Sequence, residues 1–184
     1  SIPVTGFALE DLQVLCGHDT GRPGDVLVEL REAGLALVAE MAADRLTDPE
    51  PMFDLLRTSG LTVACLSVGD GVGEAAFPIV RRVATWNGVA TVCRAFAPLS
   101  RAESSPSATG YSDLRQVALA RLLVDNIDSI QVDWAGYGPK LAQVALTFGA
   151  NDLDAVSVDT PEGLGRRRSP RAEARRNILP AGAG

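Results

Sequence analysis

The stretches VLVELREAGLALVA (residues 26–39) and PMFDLLRTSGLTVACL (residues 51–66) decide the fold, because each consists of a helix, a glycine and an apolar strand. In the first stretch, apolar residues recur every three positions up to Gly34, which is typical of a helix that ends at a left-handed glycine. In the second, Pro51 suits the first helical position and Gly60 ends the helix. Such nearly continuous apolar strands, separated by single helices, predict a parallel sheet.

The same unit recurs along the rest of the chain. A third helix, residues 74–86, is followed by Asn87-Gly88 and a strand at 89–93. Further strands are predicted near residues 4–9, 130–134 and 153–158. These strands give about five to six parallel βα units.

The last two helices carry their own signals. Asp113 and Gln116 are spaced as in a capping box, and Pro139 is suited to open the final helix, which Gly149 closes. The side chains predicted to point inward are Leu114, Val117, Ala118 and Leu122 on the first helix, and Leu141, Val144, Ala145 and Phe148 on the second.

Two α/β architectures fit this pattern. A closed eight-stranded barrel needs roughly 250 residues, and this chain has 184. It is therefore either an open doubly wound sheet or a partial (β/α) TIM-like barrel that lacks the first strands. Periodicity does not separate the two.

Charge divides the chain into two predicted domains. Residues 1–159 carry 21 acidic and 11 basic side chains, and residues 160–184 carry two acidic and six basic ones. The acidic body, residues 1–159, argues against a nucleic-acid partner. The basic C-terminal extension with its short helix, residues 160–184, is predicted to pack on that body rather than to bind phosphate.

Composition also limits location and metal chemistry. No run approaches the roughly 18 apolar residues of a membrane span, and Ser1-Ile2-Pro3-Val4 is no basic leader, so we expect a cytoplasmic protein without a membrane partner. The cysteines, at positions 16, 65 and 93, have no metal-pair spacing, and His18 is the single histidine. We predict reduced thiols and no metal site.

Two loops invite a functional hypothesis. Gly69-Asp70-Gly71-Val72-Gly73 follows a strand, but it lacks the full dinucleotide fingerprint and indicates a plain turn more than a phosphate site. Trp134 and Tyr137 follow another strand, where ligands bind in α/β folds. A stacking surface for a planar ligand and ordinary core packing both remain open for these two rings.

Residues 107–158 contain four motifs in a fixed order. They are Leu114 to Leu122 followed by Asp125-Asn126-Ile127, then Trp134, then Gly138-Pro139-Lys140-Leu141-Ala142-Gln143, then Phe148 to Asp154. With these motifs the segment resembles the carboxyl half of certain radical S-adenosylmethionine enzymes, namely the aminofutalosine synthase and cyclic dehypoxanthine futalosine synthase of menaquinone biosynthesis and the related synthase of the deazaflavin chromophore. Glu173 to Ile178 is similar to the family's last helix.

The resemblance implies a barrel synthase or transferase that uses S-adenosylmethionine and a 4Fe-4S cluster. In that family a Cys-x-x-x-Cys-x-x-Cys loop binds the cluster, and these 184 residues contain no such loop. Glu40 to Asp44 stands where the family has Gly-Gly-Gly-x-Glu, and Ser67 to Asp70 where it has Tyr-Gly-His. We therefore expect a truncated homologue with no cofactor of its own, and radical activity by this chain alone is not expected.

Two functions follow from the resemblance. The first is a cluster-less, non-radical relative that binds a nucleoside-like or deoxychorismate-derived small molecule, or a pathway enzyme. The alternative is a subunit of a split radical enzyme, completed by a chain with the cysteine loop. Open sheet edges predict a homo-oligomer or a partner chain. The substrate-binding residues that the resemblance implies are Arg121, Asp125, Asn126, Trp134, Tyr137, Asp152 and Asp154; it implies no catalytic residue.

Overall fold

The computed structural model describes residues 5–16, 22–69, 76–100, 110–156, 174–176 and 178. In chain order the elements are β1 (Thr5–Ala8), α1 (Leu9–Cys16), α2 (Arg22–Glu32), β2 (Leu37–Ala42), a 3-10 turn (Ala43–Arg45), α3 (Glu50–Ser59), β3 (Thr62–Val68), α4 (Phe77–Ala84), α5 (Val89–Val92), β4 (Cys93–Ser100), α6 (Gly110–Leu123), β5 (Ser129–Asp133), α7 (Trp134–Thr147) and β6 (Asp152–Asp154). Residues 70–73 of the glycine-rich motif and His18 lie outside the described residues, as does most of the basic extension.

The sheet is parallel throughout, and its strand order β1-β2-β3-β4-β5-β6 equals the chain order. Crossovers between parallel strands are almost always right-handed, so an order that never reverses places the connecting helices on one side of the sheet. A doubly wound sheet would instead reverse its order and carry helices on both faces. The six strands form a curled half-barrel, which confirms the predicted partial barrel over the doubly wound alternative.

The two units quoted first are confirmed. Gly34 follows α2 with φ of 103° and Gly60 follows α3 with φ of 70°. The Gly60 N–H donates to the carbonyl groups of Arg57 and Leu56, which ends α3 in the left-handed manner that glycine favours. β2 and β3 begin at Leu37 and Thr62, one or two residues later than the sequence predicts.

The strand predicted at residues 89–93 is wrong. Val89–Val92 forms the short helix α5, and the strand begins only at Cys93. Gly88 precedes the helix with φ of 72°, and the N–H of Thr91 donates to the Gly88 carbonyl at 3.0 Å, which closes a turn. Val89 and Val92, three residues apart, are both buried. The β-branched composition therefore gave the wrong element, because burial at a spacing of three favours a helical turn.

The predicted capping box is also wrong. α6 begins at Gly110, so Asp113 lies inside its first turn, and the Gln116 side chain donates to the Pro98 carbonyl of β4 at 3.2 Å. The buried stripe of the helix includes Val117 and Ala120, whereas Leu122, predicted to point inward, is 78% exposed. The buried side of α6 is thus rotated from the predicted one, and it includes Gln116, which is hydrogen-bonded to the sheet.

α7 is two helical pieces joined at Gly138, whose φ of 77° and ψ of 161° are not helical. Trp134 opens the first piece directly after β5, and Pro139 opens the second, as predicted. Buried side chains of the second piece are Ala142 and Ala145. Val144 and Phe148, predicted to point inward, are 40% and 45% exposed.

The register separates the two faces of the sheet. Met41, Leu66, Phe96 and Ile130 are successive register partners, are fully buried and belong to the same hydrophobic core as the helix stripes. We assign this face to the helix layer. The opposite face is the inside of the curve, and by strand alternation it carries the polar side chains. This polar face comprises Glu40, Ser67, Ser129, Gln131, Asp133, Asp152 and Asp154.

Candidate functional site

The polar face carries a side-chain hydrogen bond between β2 and β3. Glu40 and Ser67 lie near the carboxyl ends of the two strands, and the Ser67 hydroxyl donates to Glu40 Oε1 at 2.5 Å. Ser67 is fully buried, and Glu40 is half-buried. A carboxylate held in this way keeps acceptor capacity toward a second donor, because each carboxylate can accept about four hydrogen bonds.

A second polar group joins β5 and β6 on the same face. Asp152 Oδ2 accepts hydrogen bonds from Gln131 Nε2 at 2.9 Å and from the Ser129 hydroxyl at 3.3 Å. Gln131 and Asp152 are register partners on adjacent strands. All three side chains are half-buried. The polar face thus has hydrogen-bonding groups on both sides of its centre.

The centre of the polar face, on β3 and β4, is small and apolar. Cys65 and Ala95 are register partners, as are Ser67 and Ala97, and all four residues are buried. Cys93 lies two residues before Ala95 on the same face. Burial, with a smaller contribution from Cys65, raises the pKa of the Cys93 thiol to about 12. Cys65 and Cys93 form no disulfide bond with any described residue, and the raised pKa keeps the Cys93 thiol protonated at neutral pH.

Two more carboxylates end their strands side by side. Asp133 and Asp154 are register partners at the carboxyl ends of β5 and β6. The Asp133 side chain accepts the Gly136 N–H at 2.8 Å and caps α7. Asp154 Oδ1 accepts the N–H of Ala155 at 2.7 Å. Asp133 thus stabilises the start of α7, and Asp154 the backbone after β6, both at the edge where ligands of α/β folds bind.

The residues on this face do not fit a 4Fe-4S cluster of the kind that the resemblance implies. The face holds two described cysteines, Cys65 and Cys93, whereas the cluster loop of the family has three. Among the residues that the structure describes, no cluster of three or more His, Cys, Asp or Glu side chains could hold a metal ion. The backbone at the carboxyl end of β2 is hydrogen-bonded within the protein, because the Ala42 N–H donates to Glu10 Oε1 at 2.7 Å.

Three of the seven predicted substrate-binding residues lie at the carboxyl ends of the strands. They are Trp134, Tyr137 and Asp154. Trp134 is only 7% exposed and belongs to the hydrophobic core, and Tyr137 packs against that core while remaining half-buried. Core packing therefore accounts for the Trp134 ring. Tyr137 and Asp154 keep the exposure that contact with a ligand requires.

The other four predicted residues lie at the opposite ends of β5 and β6. Arg121, Asp125 and Asn126 precede β5, and Asp152 is the first residue of β6. Asp152 shares the polar face with Asp154, whereas Arg121, Asp125 and Asn126 lie before β5, at the other end from Tyr137. The role of all four in substrate binding stays a prediction, and the described hydrogen bonds of Arg121, Asn126 and Asp152 are with backbone and side-chain groups of the protein.

Arg121 connects the end of α6 to two loops. Its Nε donates to the Gly149 carbonyl at 2.7 Å, and its two terminal nitrogens donate to the Asp128 carbonyl at 3.0 Å and to Asn151 Oδ1 at 2.8 Å. Gly149 allows this approach, because a Cβ there would lie 2.7 Å from the Arg121 side chain. The three acceptor residues, Gly149, Asp128 and Asn151, all lie in the loops before β5 and β6.

The Asn126 side chain is hydrogen-bonded to the carboxyl end of α4 and to the turn that follows it. Its Nδ2 donates to the Val83 and Trp86 carbonyls, both at 2.9 Å. Its Oδ1 is buried and has no hydrogen-bond partner in the described part of the chain. These contacts fix the loop before β5 against α4.

The sequence interpretation overlooked Asn151, Glu40 and Ser67. Asn151 Oδ1 accepts both Arg121 and the Ile130 N–H, and its Nδ2 donates to the Asp128 carbonyl. Its place between Gly149 and β6 was the available signal, because a side chain there can cap exposed backbone groups. Glu40 and Ser67 were noted only as departures from family motifs, although alternation places both on one face.

The second half of the chain is similar to a known protein family. Residues 96–162 match the CofH/MqnC C-terminal region. This confirms the resemblance seen in residues 107–158, and the matched region contains most of β4 and all of α6, β5, α7 and β6.

Curated relatives match over short segments. An aminodeoxyfutalosine synthase of Thermus thermophilus is 40% identical over 84 residues, which are 40% of this chain and 21% of that protein. A 5-amino-6-(D-ribitylamino)uracil–L-tyrosine 4-hydroxyphenyl transferase of Methanosphaerula palustris is 56% identical over 46 residues, 25% of this chain and 13% of that protein. The matched segments thus cover about a fifth or less of the length of these relatives.

A solved structure supports the fold alone. An AP endonuclease, family 2, from Brucella melitensis superimposes with a TM-score of 0.56 and 13% identity, covering 83% of this chain and 67% of that one. The described helices also show no candidate membrane span, since none combines enough length with enough hydropathy to cross a bilayer.

Proposed function

We propose that this chain is a cytoplasmic binding unit of the futalosine type, which holds a nucleoside-like small molecule on its polar face without radical chemistry of its own. The observation that carries the proposal is the polar face, where Glu40 with Ser67 and Gln131 with Asp152 flank the small side chains of Cys65 and Ala95. The CofH/MqnC match supports it, because part of that face lies within residues 96–162.

The charge of the polar face favours one of the two predicted ligand classes. Its described ionisable groups are thiols and carboxylates, namely Cys65, Cys93, Glu40, Asp133, Asp152 and Asp154. Carboxylates accept hydrogen bonds from hydroxyl groups and repel other carboxylates. A ribose or ribityl group suits this face better than a deoxychorismate-derived acid. The name of the Methanosphaerula relative includes a ribitylamino-uracil, which agrees with this choice.

Isothermal titration tests the proposal with adenosine and 5-amino-6-(D-ribitylamino)uracil as probes. We expect at least one probe to bind the purified chain. Glu40→Gln replaces the acceptor carboxylate by an amide of the same shape, and we expect it to weaken binding by about tenfold. Glu32→Gln, on the exposed end of α2, is the matched control. Unchanged affinity in Glu40→Gln, or no binding of either probe, would reject the polar face as the site.

The split-enzyme alternative is favoured by a different observation. Within the described sheet, β1 and β6 each pair with one neighbour, so two strand edges are available to another chain. Light scattering at several concentrations measures whether the chain associates. Anaerobic iron and sulfide analysis, after co-expression with a chain that carries the three-cysteine loop, measures whether a cluster is assembled. Stoichiometric iron in a stable complex would support the split enzyme, and an iron-free 19 kDa species would reject it.

A further inference from the structure

Large apolar side chains are exposed together toward the carboxyl ends of α6 and α7. Among the described residues, Leu122 is 78% exposed, Val144 40% and Phe148 45%. All three have the helical spacing of core positions, yet the described structure leaves them at the surface. Single exposed apolar residues are common on proteins, but a group of them indicates a surface that contacts another molecule.

The two helices lie side by side and run in the same direction. Near their amino ends, a Cβ added to Gly110 would lie 3.3 Å from Leu141 Cδ1. Near their carboxyl ends, the Arg121 Nε donates to the Gly149 carbonyl at 2.7 Å. Leu122 follows Arg121 and Phe148 precedes Gly149, so the exposed apolar side chains of both helices belong to one region of the surface.

The outer side of α7 is unusually poor in charge. Lys140, Val144 and Phe148 are exposed and follow one another at intervals of four residues, which aligns them along one side of the helix. Lys140 is the single charged residue between Trp134 and Thr147. A helix that faces water normally carries charged residues on its outer side, so this composition is typical of a helix that packs against a second surface.

Opposite charges lie at the two ends of this line. Lys140 is near the start of the second piece of α7. Asp128 is beside the other end, because the Asn151 Nδ2 just after α7 donates to the Asp128 carbonyl at 3.0 Å. The exposed carboxylates of Asp125 and Asp128 outnumber the Arg121 guanidinium there. Eight helical residues from Lys140 to the end of the line correspond to about 12 Å. Within the described residues, neither Lys140 nor the Asp128 carboxylate forms an ion pair.

We propose that this outer side of α7, with Leu122 beside it, docks against the same surface of a second copy of this chain. A two-fold axis near Val144 would pair the two helices antiparallel. It would also place Lys140 of each copy opposite Asp128 of the partner subunit, and the apolar side chains between them. A surface with both charges at opposite ends is complementary to itself under a two-fold axis, which is the commonest symmetry of homo-oligomers. The contact uses neither the polar face nor the strand edges of β1 and β6.

Sedimentation velocity of the full chain at several concentrations tests this inference. We expect a species of twice the 19.3 kDa chain mass, whose fraction rises with concentration. Val144→Arg places two like charges at the axis and should weaken association at least about tenfold. Val28→Arg on α2 is the matched control, because Val28 is 41% exposed, and it should leave association unchanged. Both positions are exposed, so the variants keep the fold.

A zero-length carbodiimide cross-link identifies the paired charges. Lys140 is the single lysine of the chain, and we expect it to be linked to Asp128 of the partner subunit in a mixture of ¹⁵N-labelled and unlabelled protein. Lys140→Glu should weaken association, and the double variant Lys140→Glu/Asp128→Lys should restore it.

Three results would each overturn the inference. They are a monomer at every concentration, a dimer that Val144→Arg leaves unchanged, and charge variants that show neither loss nor restoration of association. The second result would assign the dimer to another surface, such as the edges of β1 and β6.

Discussion

The two ends of strands β5 and β6 use polar side chains in different ways. At the amino ends, Arg121 and Asn151 donate three hydrogen bonds to the backbone carbonyl groups of Asp128 and Gly149 and hold the loops before both strands. At the carboxyl ends, Asp133 accepts the Gly136 N–H of α7, Asp154 accepts the N–H of Ala155, and both carboxylates are half-buried. The amino ends are thus held by side chains that connect the two loops, whereas the carboxylates at the carboxyl ends remain partly accessible to solvent.

This difference shows that residue type alone does not identify a binding residue. In a βα sheet, a residue before a strand lies at its amino end, and a residue after a strand lies at its carboxyl end. Arg121 and Asn126 precede β5, and their hydrogen bonds go to loops or to the end of α4. Three stability experiments test the contacts at the amino ends, and a fourth tests a buried carboxyl group on α6.

The largest effect is expected at Gly149. Its φ is 112°, and an added Cβ would lie 2.7 Å from Cβ and Cγ of Arg121. Gly149→Ala combines backbone strain with overpacking, and we expect it to lower the free energy of unfolding by roughly 3 kcal/mol. Urea unfolding measures this loss. Gly34→Ala is the matched control, since its φ is also positive but no atom lies within 4 Å of the added Cβ. Equal losses in the two variants would show that Arg121 does not crowd this position.

Asn151 should give the next largest effect. Asn151→Ala removes an acceptor shared by Arg121 and the Ile130 N–H and a donor to Asp128, so we expect a loss of roughly 2 kcal/mol. Asn151→Asp keeps the acceptor and should lose less. Thermal and urea unfolding measure both, with the exposed Asn87→Ala as the control. If Asn151→Ala had the same free energy of unfolding as the wild type, the Asn151 hydrogen bonds would not stabilise the amino ends.

Arg121 can be compared with an exposed arginine near the start of β4. Arg121→Gln breaks three hydrogen bonds at the amino ends, and we expect a loss of roughly 1.5 kcal/mol of unfolding free energy. Arg94→Gln changes an exposed side chain and should cost less than about 0.5 kcal/mol. Urea unfolding measures both variants, and equal losses would show that the Arg121 hydrogen bonds do not stabilise the amino ends.

The smallest effect concerns pH and Asp113. Burial raises the pKa of this carboxyl above its ordinary value. The folded state therefore holds the proton more tightly than the unfolded state, and stability falls as pH rises from the ordinary aspartate pKa through the raised one. Asp113→Asn should flatten this part of the pH profile and raise the melting temperature at neutral pH. The variant and the wild type would be compared by thermal unfolding between about pH 4 and pH 7. Parallel profiles would exclude a contribution of Asp113.

Much of the fold could be predicted from the sequence, because local signals and tertiary packing agree there. Gly34 and Gly60 end their helices in the predicted conformation, and Pro139 opens the second part of α7. The alternation that defines the polar face was also present in the sequence. The choice between a partial barrel and a doubly wound sheet required the strand order, which depends on long-range pairing.

The errors have physical causes at particular residues. Val89 to Val92 has the composition of a strand, but the turn closed on Gly88 makes it a helix. Leu122 was assigned to the core from its spacing, whereas the buried side of α6 is rotated and includes Gln116, which is hydrogen-bonded to Pro98. Val144 and Phe148 were assigned to the core in the same way, but both are exposed on the outer side of α7.

The order of the strands has a consequence for how the chain is made. When each strand pairs with the one synthesised just before it, a nascent chain leaving the ribosome finds its next partner already in place. Every pairing closes a loop of moderate length, which favours rapid folding. A sheet with this strand order can also gain or lose a terminal βα unit through a change in gene length. The pairing of all other strands would stay the same.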